Sequence, residues 1–532
     1  MAEINNIPNV SAEKFRFVGE RQLTHDIKLD TKPHSYLHDA FLRFCKNKGA
    51  IVAAIVIILL VLFAIRATFC TPYGVTDEDT HFGYVLPKSR LFANTNFWDG
   101  CIEKIEDYQN FIYNYAIGTE LENAVEGSGS AHSVIKNQKY ELVETETGTR
   151  YKYRFDTYQK NGNIYLQIHY DEYELIQEYQ NKTGKLVLYP TLRTRDRPTA
   201  TQNDNDANYY YLTKTVGGKT QPVLDENGNV QPVYWKDKAE DINDGYHSLR
   251  VEGQDGFEVD GETYFYVYSR YMSGGDVEVR MNYYEYYVFK HTYVLKDGIS
   301  EPHFLFGSTE TGKDILACLS NGARFSFIFA ISIAAVNFII GAIWGAIAGY
   351  YGGAADMIME RITDVLSAVP LMIVITLLQY HMEKSPTVLI LFLAFIVTGW
   401  IGDASLVRMQ FYRFKNQEYV LAARTLGAKD FRVMFKHIFP NSLGTMVTSS
   451  ALIIPSMIFS ETSLSYLGII NLETGNITSV GTLIAQGQQC LTTYPHVVLF
   501  PTIFLALLML SFNLFGNGLR DAFNPTLRGS EG

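Results

Sequence analysis

Residues 307–314, Gly-Ser-Thr-Glu-Thr-Gly-Lys-Asp, are the stretch whose spacing comes closest to nucleotide chemistry. Gly307, Gly312 and Lys313 fit the first seven positions of a phosphate-binding loop, in which backbone amides and a lysine hold phosphate oxygens. The eighth position of such a loop supplies a hydroxyl to Mg²⁺. Asp314 stands there instead and brings a carboxylate that repels phosphate. The stretch therefore does not predict nucleotide binding by this chain.

Glu461 is the acidic side chain that we single out within an apolar stretch. An ionisable group inside a membrane is costly to bury, so it is a candidate functional site. Glu461 lies near the predicted outer end of its span. A packing role or a hydrogen bond to a neighbouring helix is thus as well supported as contact with a transported molecule.

Catalytic and metal signatures do not stand out elsewhere in the sequence. We recognise no nucleophile triad and no carboxylate pair, and the five cysteines show no metal-like spacing. Their scatter favours unpaired thiols, with a Cys70–Cys101 bridge as the alternative. We predict neither an enzyme nor a metal site.

The chain divides into an apolar part and a polar part. Long apolar runs dominate residues 49–70 and 323–517, whereas residues 71–303 hold 28 of the 36 tyrosines. That polar segment has 23 Lys+Arg against 37 Asp+Glu, a charge of −14, so the remainder of this −11 chain carries about +3. We predict a membrane protein with a large acidic soluble insert. An acidic surface repels phosphates and so argues against nucleic acid as a partner.

The run at 49–70 predicts a retained membrane span after a leader at 1–48. The residues before Arg66 reach about 26 Å as a helix, close to the roughly 30 Å of bilayer hydrocarbon. The run is too long for a signal peptide and no cleavage-site pattern follows it. The basic flank of the leader predicts a cytoplasmic N-terminus. Residues 71–303 are then extracellular.

Five further apolar runs predict spans at 324–350, 358–380, 386–407, 442–468 and 496–516. Six spans return the C-terminus to the cytoplasm and place the loop 408–441 inside the cell. That loop is rich in basic residues, as the positive-inside rule requires. Its basic residues are Arg408, Arg413, Lys415, Arg424, Lys429, Arg432 and Lys436.

The insert alternates aromatic and polar residues, which predicts antiparallel strands in a β-rich or α+β domain. The runs are 151–158, 163–176, 262–272 and 277–295. Turns are expected at Asn161-Gly162, Gly217-Gly218, Glu226-Asn227-Gly228 and Gly274-Gly275. The stretch 101–124 is a candidate helix. The tyrosines could bind sugar or peptide, but they also suit a half-buried pleated surface, and we favour that interpretation.

The loop 418–441 predicts a helix over 418–426, a break at Gly427 and a second helical stretch over 430–438 that ends at Pro440. Small side chains such as Ala422 and Ala423 would let another protein approach closely. A basic loop that merely fixes orientation explains these residues equally well.

This loop resembles the coupling loop of ABC importer permeases, most closely the C-type permease of the dipeptide/oligopeptide family. The matching run is AAR-x-x-G followed by HIFPN, and Leu421 replaces the family's usual glutamate. The matching positions are Ala422, Ala423, Gly427, His437, Pro440 and Asn441.

Four other stretches resemble the same family, in the family's order. They are FLFGSTETGKDILACLSNGAR at 304–324, GYYGG at 349–353, SETSLSYLG at 460–468 and FNLFGNGLRDAFNP at 512–525. GYYGG is followed by Asp356, Arg361, Asp364 and Pro370, as in the family. The resemblance covers about 304–525 and the first span, but not the insert.

The resemblance implies an α-helical, six-span type I ABC importer permease, with its core at 304–525 and a cytoplasmic tail at 526–532. It implies a multi-pass protein of the cell membrane, surrounded by lipid, that couples to ATPases through Glu418 and the matching loop positions. The implied partners are a second, B-type permease, two ABC ATPases that bind ATP and Mg²⁺, an extracellular solute-binding lipoprotein and a peptide substrate. The chain itself would bind no cofactor.

Two alternatives stay open at this point. One is a membrane sensor or surface interaction protein with a permease-like core. The other is an importer of a non-peptide ligand such as a nickel complex. The insert would dock the binding protein or cap the outer mouth of the pore.

Overall fold

The computed structural model combines a bundle of long apolar helices with a mixed α/β insert. The predicted leader is described only from residue 36, and the predicted tail lies outside the described residues. The structure describes residues 36–92, 95–116, 133–146, 148–162, 164–192, 207–208, 211–224, 226, 228, 234–242, 248–473 and 478–523.

Within these residues, five helices are long and apolar enough to cross a membrane. They correspond to five of the six predicted spans. Their spanning segments are Lys48–Arg66, Ile315–Tyr351, Thr387–Phe414, Asp430–Tyr466 and His496–Phe523.

The stretch predicted as one span at 358–380 is instead a bent pair of helices. Gly353–Ser367 and Leu371–His381 meet at an angle of 76°. Pro370 lies at the break, where its ring disfavours helical backbone in the preceding residue. The described chain therefore has six spans only if this pair is counted as one.

In chain order, the helices of the leader, the first span and the insert are α1 (Tyr36–Lys46), α2 (Lys48–Cys70), α3 (Tyr108–Ala116), α4 (Tyr170–Thr183) and α5 (Tyr283–Phe289). Those of the remaining bundle are α6 (Ile315–Tyr351), α7 (Gly353–Ser367), α8 (Leu371–His381), α9 (Thr387–Gly399), α10 (Ile401–Phe414), α11 (Glu418–Thr425), α12 (Asp430–Arg432), α13 (Phe439–Tyr466), α14 (Val480–Gln488) and α15 (His496–Phe523).

Close packing of α6 against α10 forms the centre of the bundle. A Cβ atom added to Gly345 would lie 2.3 Å from the carbonyl oxygen of Ala404, so only glycine permits this approach. On the other side of α6, the first span and α15 enclose an apolar cluster that includes Leu60, Phe327 and Leu508.

The insert is built from short antiparallel strands. The strands are β1 (Cys101–Glu106), β2 (Ile135–Thr145), β3 (Gly148–Asp156), β4 (Ile164–His169), β5 (Leu188–Tyr189), β6 (Ala207–Asn208), β7 (Tyr211–Val216), β8 (Lys219–Pro222), β9 (Lys236–Lys238), β10 (Phe257–Val259), β11 (Glu262–Tyr266), β12 (Ser269–Tyr271) and β13 (Asp276–Met281). They form sheets in the orders β1-β3-β2, β10-β11-β9, β12-β13-β4 and β6-β7-β8, and β5 also pairs with β13.

Two predicted turns are confirmed. Gly217 and Gly218 link β7 to β8, and Gly274 and Gly275 link β12 to β13, all with positive φ. The candidate helix at 101–124 is wrong at its start, because 101–106 is a strand, and helix begins only at Tyr108.

The strand prediction fails at 170–176 and 283–295, which are helical. In α4, Tyr173, Ile176 and Tyr179 recur every three residues and are buried together, a helical period that the two-residue alternation obscured. Asn282 accepts hydrogen bonds from the amides of Tyr284 and Glu285 and so starts α5.

The tyrosines serve the core of the insert, and many do so from helices rather than from a pleated surface. The largest core cluster joins Tyr173, Tyr179, Tyr283, Tyr286 and Tyr287 to β-strand residues such as Val279. Cys101 is a free thiol, so the structure does not support the bridge to Cys70.

Candidate functional site

The loop 418–441 has the predicted break but a different second half. Helix α11 ends before Gly427, whose φ of +81° suits glycine, and the Ala428 amide donates to the Ala423 carbonyl at 3.0 Å. Residues 430–466 then continue as one helix through a π turn at Val433–Ile438. Pro440 does not end this helix. The π turn directly before it already interrupts the regular hydrogen-bond pattern of the helix, so the missing amide of Pro440 costs little there.

One face of the loop is fixed to the bundle by apolar packing. Val420, Val433 and Ile438 are fully buried. They pack in one cluster with Ala346 of α6 and Phe411 of α10. Since packed interiors deform little, the loop and the ends of these helices should move together.

Polar contacts hold the same face to the end of α6. The Tyr350 hydroxyl donates to Oδ1 of Asp430 at 2.6 Å. The Arg424 guanidinium lies 4.9 Å from the centre of the Tyr350 ring, and Nζ of Lys415 donates to the Gly349 carbonyl at 3.0 Å. The loop is thus attached to the GYYGG stretch at the end of α6.

A charged cluster lies beside this attachment of the loop to the GYYGG stretch. Arg408 of α10 donates to both oxygens of Asp356, at 2.5 and 2.8 Å, and to both oxygens of Glu360, each at 2.9 Å. The Tyr412 hydroxyl also donates to Asp356, at 2.6 Å. Bidentate arginine–carboxylate pairs fix orientation as well as distance.

This cluster was not predicted from the sequence, in which Arg408 was counted only among the basic residues that set the orientation of the loop. The available signal was the spacing of four residues in both Asp356–Glu360 and Arg408–Tyr412, which places each pair on one helix face.

The opposite face of the loop is exposed and partly apolar. Leu426 is 88% exposed and Phe431 is 70% exposed, and Leu421 is also exposed. Large apolar side chains beside basic residues on a rigid loop are typical of a surface that another protein covers.

The predicted site residues fall into two groups. Glu418 and Ala422 lie exposed on α11, Ala423 is half-buried there, and Gly427 makes the turn. His437, Pro440 and Asn441 lie at the junction with α13.

The junction residues contact the loop's own backbone and side chains. Nδ2 of Asn441 donates to the His437 carbonyl at 2.8 Å, and the Asn441 side chain lies beside Tyr419. Both groups of predicted site residues lie in this one loop, and the junction residues help to hold its conformation.

Glu461 is fully buried where three helices meet. Its Oε2 accepts from the Ser326 hydroxyl of α6 at 3.2 Å, and its Oε1 accepts from Ser465 at 3.3 Å. Ser479, which caps α14, lies beside the same carboxyl group. These contacts favour the hydrogen-bonding role over contact with a transported molecule.

The phosphate-loop-like stretch has a structural role. Nζ of Lys313 lies between Oε1 of Glu78 in the insert, at 3.0 Å, and Oε1 of Glu473 before α14, at 2.9 Å. Asp314 caps α6 by accepting from the Leu316 amide at 3.1 Å. The stretch joins the insert to the bundle.

A bundle of apolar helices long enough to cross a membrane, with a polar loop anchored at one end, defines a multi-pass membrane protein. The description "Binding-protein-dependent transport system inner membrane component" matches residues 341–529. The description "N-terminal TM domain of oligopeptide transport permease C" matches residues 35–85. Neither covers residues 86–340.

Named relatives match about two fifths of the chain. The oligopeptide transport system permease protein OppC of Bacillus subtilis is 43% identical over 229 residues, 43% of this chain and 73% of that protein. The dipeptide transport system permease protein DppC of the same organism is 39% identical over 42% of this chain and 69% of its own length. OppC of Escherichia coli is 34% identical over 41% and 72%.

The chain therefore belongs to the family of binding-protein-dependent transport inner membrane components, the permeases of ABC transporters. A solved structure of the MetNI methionine ABC transporter, in inward-facing conformations, aligns with 39% of this chain and 96% of its own. It is 13% identical, with a TM-score of 0.31. A score this low does not by itself define a shared fold.

Proposed function

We propose that this chain is the C-type transmembrane subunit of an ATP-driven importer of oligopeptides or dipeptides. The observation that carries the proposal is the loop 418–441, anchored on one face and exposing apolar side chains on the other. Relatives named for oligopeptide and dipeptide transport favour peptides over a nickel complex. They also favour transport over a sensor or surface interaction protein.

The loop would act as a lever between ATPases and spans. Leu426 and Phe431 would be covered by one of two partner ATPases, which bind ATP and Mg²⁺, with Glu418 and Ala422 at the same contact. Because Val420 and Ile438 are buried against α6 and α10, displacement of the loop must move those helices. A second, B-type permease would complete the pore.

Leu421 gives this contact a particular character. The family's usual carboxylate at this position could pair with a basic group of the ATPase. Leu421 is exposed and apolar, so the contact here would rest on apolar burial. Apolar burial contributes roughly 25 cal/mol for each Å² removed from water and depends little on salt.

The insert would lie outside the cell, with both ends of the chain in the cytoplasm. We propose that it docks an extracellular solute-binding lipoprotein or caps the outer mouth of the pore. The insert is joined through Lys313 to the segment before α14. This contact supports the proposal, because that segment lies at the end of the bundle nearest the insert.

Substitution of the exposed loop residues tests the proposal. In proteoliposomes with all subunits, Leu426→Asp combined with Phe431→Asp should lower ATP-dependent peptide uptake at least tenfold. The reason is that a charge cannot be buried unpaired at the contact. Co-purification of the ATPases should fall in parallel.

The matched control is Leu142→Asp, because Leu142 is 61% exposed but lies in the insert. This variant should retain uptake and ATPase association. Unchanged uptake and ATPase association in the loop double variant would overturn the proposed coupling role.

A further inference from the structure

A second apolar surface lies on the insert, close to the bundle. Leu91 is 89% exposed, Phe97 is 63% exposed and Phe92 is also exposed. We call these three side chains, together with Trp98, the apolar tip. The rings of Phe92 and Phe97 lie 6.4 and 5.3 Å from that of Trp98, so the three rings form one patch, and Leu91 adjoins it through the short helix Arg90–Phe92.

Trp98 seats the apolar tip against a membrane span. Its Nε1 donates to the carbonyl of Leu305. Its ring lies 5.7 Å from that of Phe500 in α15, and the Phe500 ring stacks on Phe306 at 4.2 Å. The tip is therefore at the same height as Phe500 along the bundle axis.

That height can be fixed from the packing of α15 on the antiparallel first span. At one end, a Cβ atom added to Gly518 would lie 2.2 Å from the Cβ of Ala50. Towards the other end, the Phe63 and Phe504 rings are 5.9 Å apart. Extending this register by one helical turn brings Arg66 to the level of Phe500.

Arg66 ends the apolar run of the first span and marks the polar boundary of the membrane on that side. Trp98 is thus at the depth that tryptophan prefers, with its ring in apolar surroundings and its N–H bonded. The tip lies at the headgroup level.

On this side of the bundle, the spanning helices expose apolar side chains that no other described part of this chain covers. The first span is the least buried of the five spanning helices, and Ile58, Leu62 and Ile65 are exposed on it. On α15, Leu499 and Ile503 are exposed around Phe500. The tip continues this apolar surface.

We propose that Leu91, Phe92 and Phe97 insert into the bilayer at the boundary between headgroups and acyl chains, so that the insert is held by lipid as well as by its two chain connections. Assignment to the outer leaflet rests on the proposed orientation, whereas insertion itself does not. Membrane contact of the insert goes beyond the transport function proposed above.

Spin labels test this contact in the assembled transporter. Leu91→Cys and Phe97→Cys are labelled in a background that lacks the native cysteines and retains uptake, in vesicles of phosphatidylethanolamine and phosphatidylglycerol. Labels at both positions should be more accessible to oxygen than to a water-soluble nickel chelate. Leu142→Cys, exposed on the same insert, should show the reverse.

Two results would overturn the proposal. Accessibility at 91 and 97 like that at 142 would place the tip in water. Shielding of both labels from oxygen and from the nickel chelate would assign the tip to a protein partner. Neither result would change the uptake measured for the loop variants, so this test is independent of the proposed transport function.

Discussion

At the scale of single residues, Asp314 accepts two hydrogen bonds that were not predicted from the sequence. Its Oδ1 accepts from the Leu316 amide at 3.1 Å and its Oδ2 accepts from the Thr71 hydroxyl at 2.8 Å. Burial raises the pKa of its carboxyl group to about 6, above the usual 3.8, although these hydrogen bonds oppose the rise. The carboxylate that excluded a phosphate site is thus a costly helix cap.

Asp314→Asn should stabilise the folded chain at neutral pH. Because the pKa of this acid is higher in the folded state, ionisation favours unfolding: the penalty is absent below pH 4, grows up to about pH 6 and is full above it. The difference in pKa corresponds to about 3 kcal/mol, and asparagine keeps the cap without the charge. Thermal unfolding of the purified chain in detergent should show the gain at pH 7.5 and little at pH 4.

Glu310→Gln is the control for this series, since Glu310 is an exposed acid in the same stretch. It should leave the unfolding temperature unchanged at both pH values. A lower unfolding temperature of Asp314→Asn at pH 7.5 would mean that the hydrogen bonds of the carboxylate outweigh its desolvation.

At the scale of elements, the loop 418–441 depends on one backbone conformation. An added Cβ at Gly427 would meet nothing within 4 Å, so a substitution there acts through its positive φ and not through a clash. The turn is therefore a place where backbone strain can be separated from packing.

Gly427→Val should reduce coupling. A β-branched residue is strained by about 1–3 kcal/mol at this positive φ. Relief of the strain would shift α11 away from its contacts with the end of α6. In proteoliposomes, we expect peptide uptake per ATP hydrolysed to fall several-fold.

Gly427→Asn is the matched variant, because asparagine tolerates left-handed backbone, and it should retain most of the uptake. Equal uptake per ATP for the valine variant and the unmodified chain would show that the turn does not transmit movement.

Local signals in the sequence predicted local features well. The break at Gly427, the glycine turns of the insert and five apolar spans follow from residue type and spacing, and the structure agrees. Pro440 was misjudged because proline usually stops a helix in its interior, and the sequence does not show that a π turn precedes this proline and accommodates it.

Features that depend on distant partners could not be predicted. Asp356 and Arg408 are far apart in sequence, and their pairing needs α7 and α10 to be brought close together by the fold. In the insert, Tyr170 and Tyr173 fit a strand or a helix by local pattern. The helix forms because Tyr173 and Ile176 enter a core made by β4 and β13.

At the scale of the whole molecule, the insert contacts the helix bundle in one region, where the chain enters and leaves the insert. The Tyr84 ring stacks on that of Tyr494 at 4.6 Å, and Lys313 links Glu78 to Glu473. The Tyr73 ring stacks on Phe304 at 4.6 Å, so the chain leaves and re-enters the bundle at neighbouring points. A short linker can therefore replace the insert.

Replacement of residues 75–300 by a short Gly-Ser linker should weaken association of the solute-binding protein with the importer at least tenfold and lower uptake. The proposed docking or capping role gives the reason. The measurements are binding of the labelled binding protein to proteoliposomes and peptide uptake.

Co-purification of the ATPases serves as the internal control, because the loop 418–441 is untouched by the deletion. Normal binding and normal uptake together would exclude both roles of the insert.

The fork of Arg408 between Asp356 and Glu360 also has a consequence for the order of biosynthesis. The two acids are translated 52 and 48 residues before their arginine. Until Arg408 leaves the ribosome, α7 carries unpaired charges that hydrocarbon would strongly disfavour. Helix α7 should therefore stay at the membrane surface during synthesis and reach its final position only after α10 has been synthesised.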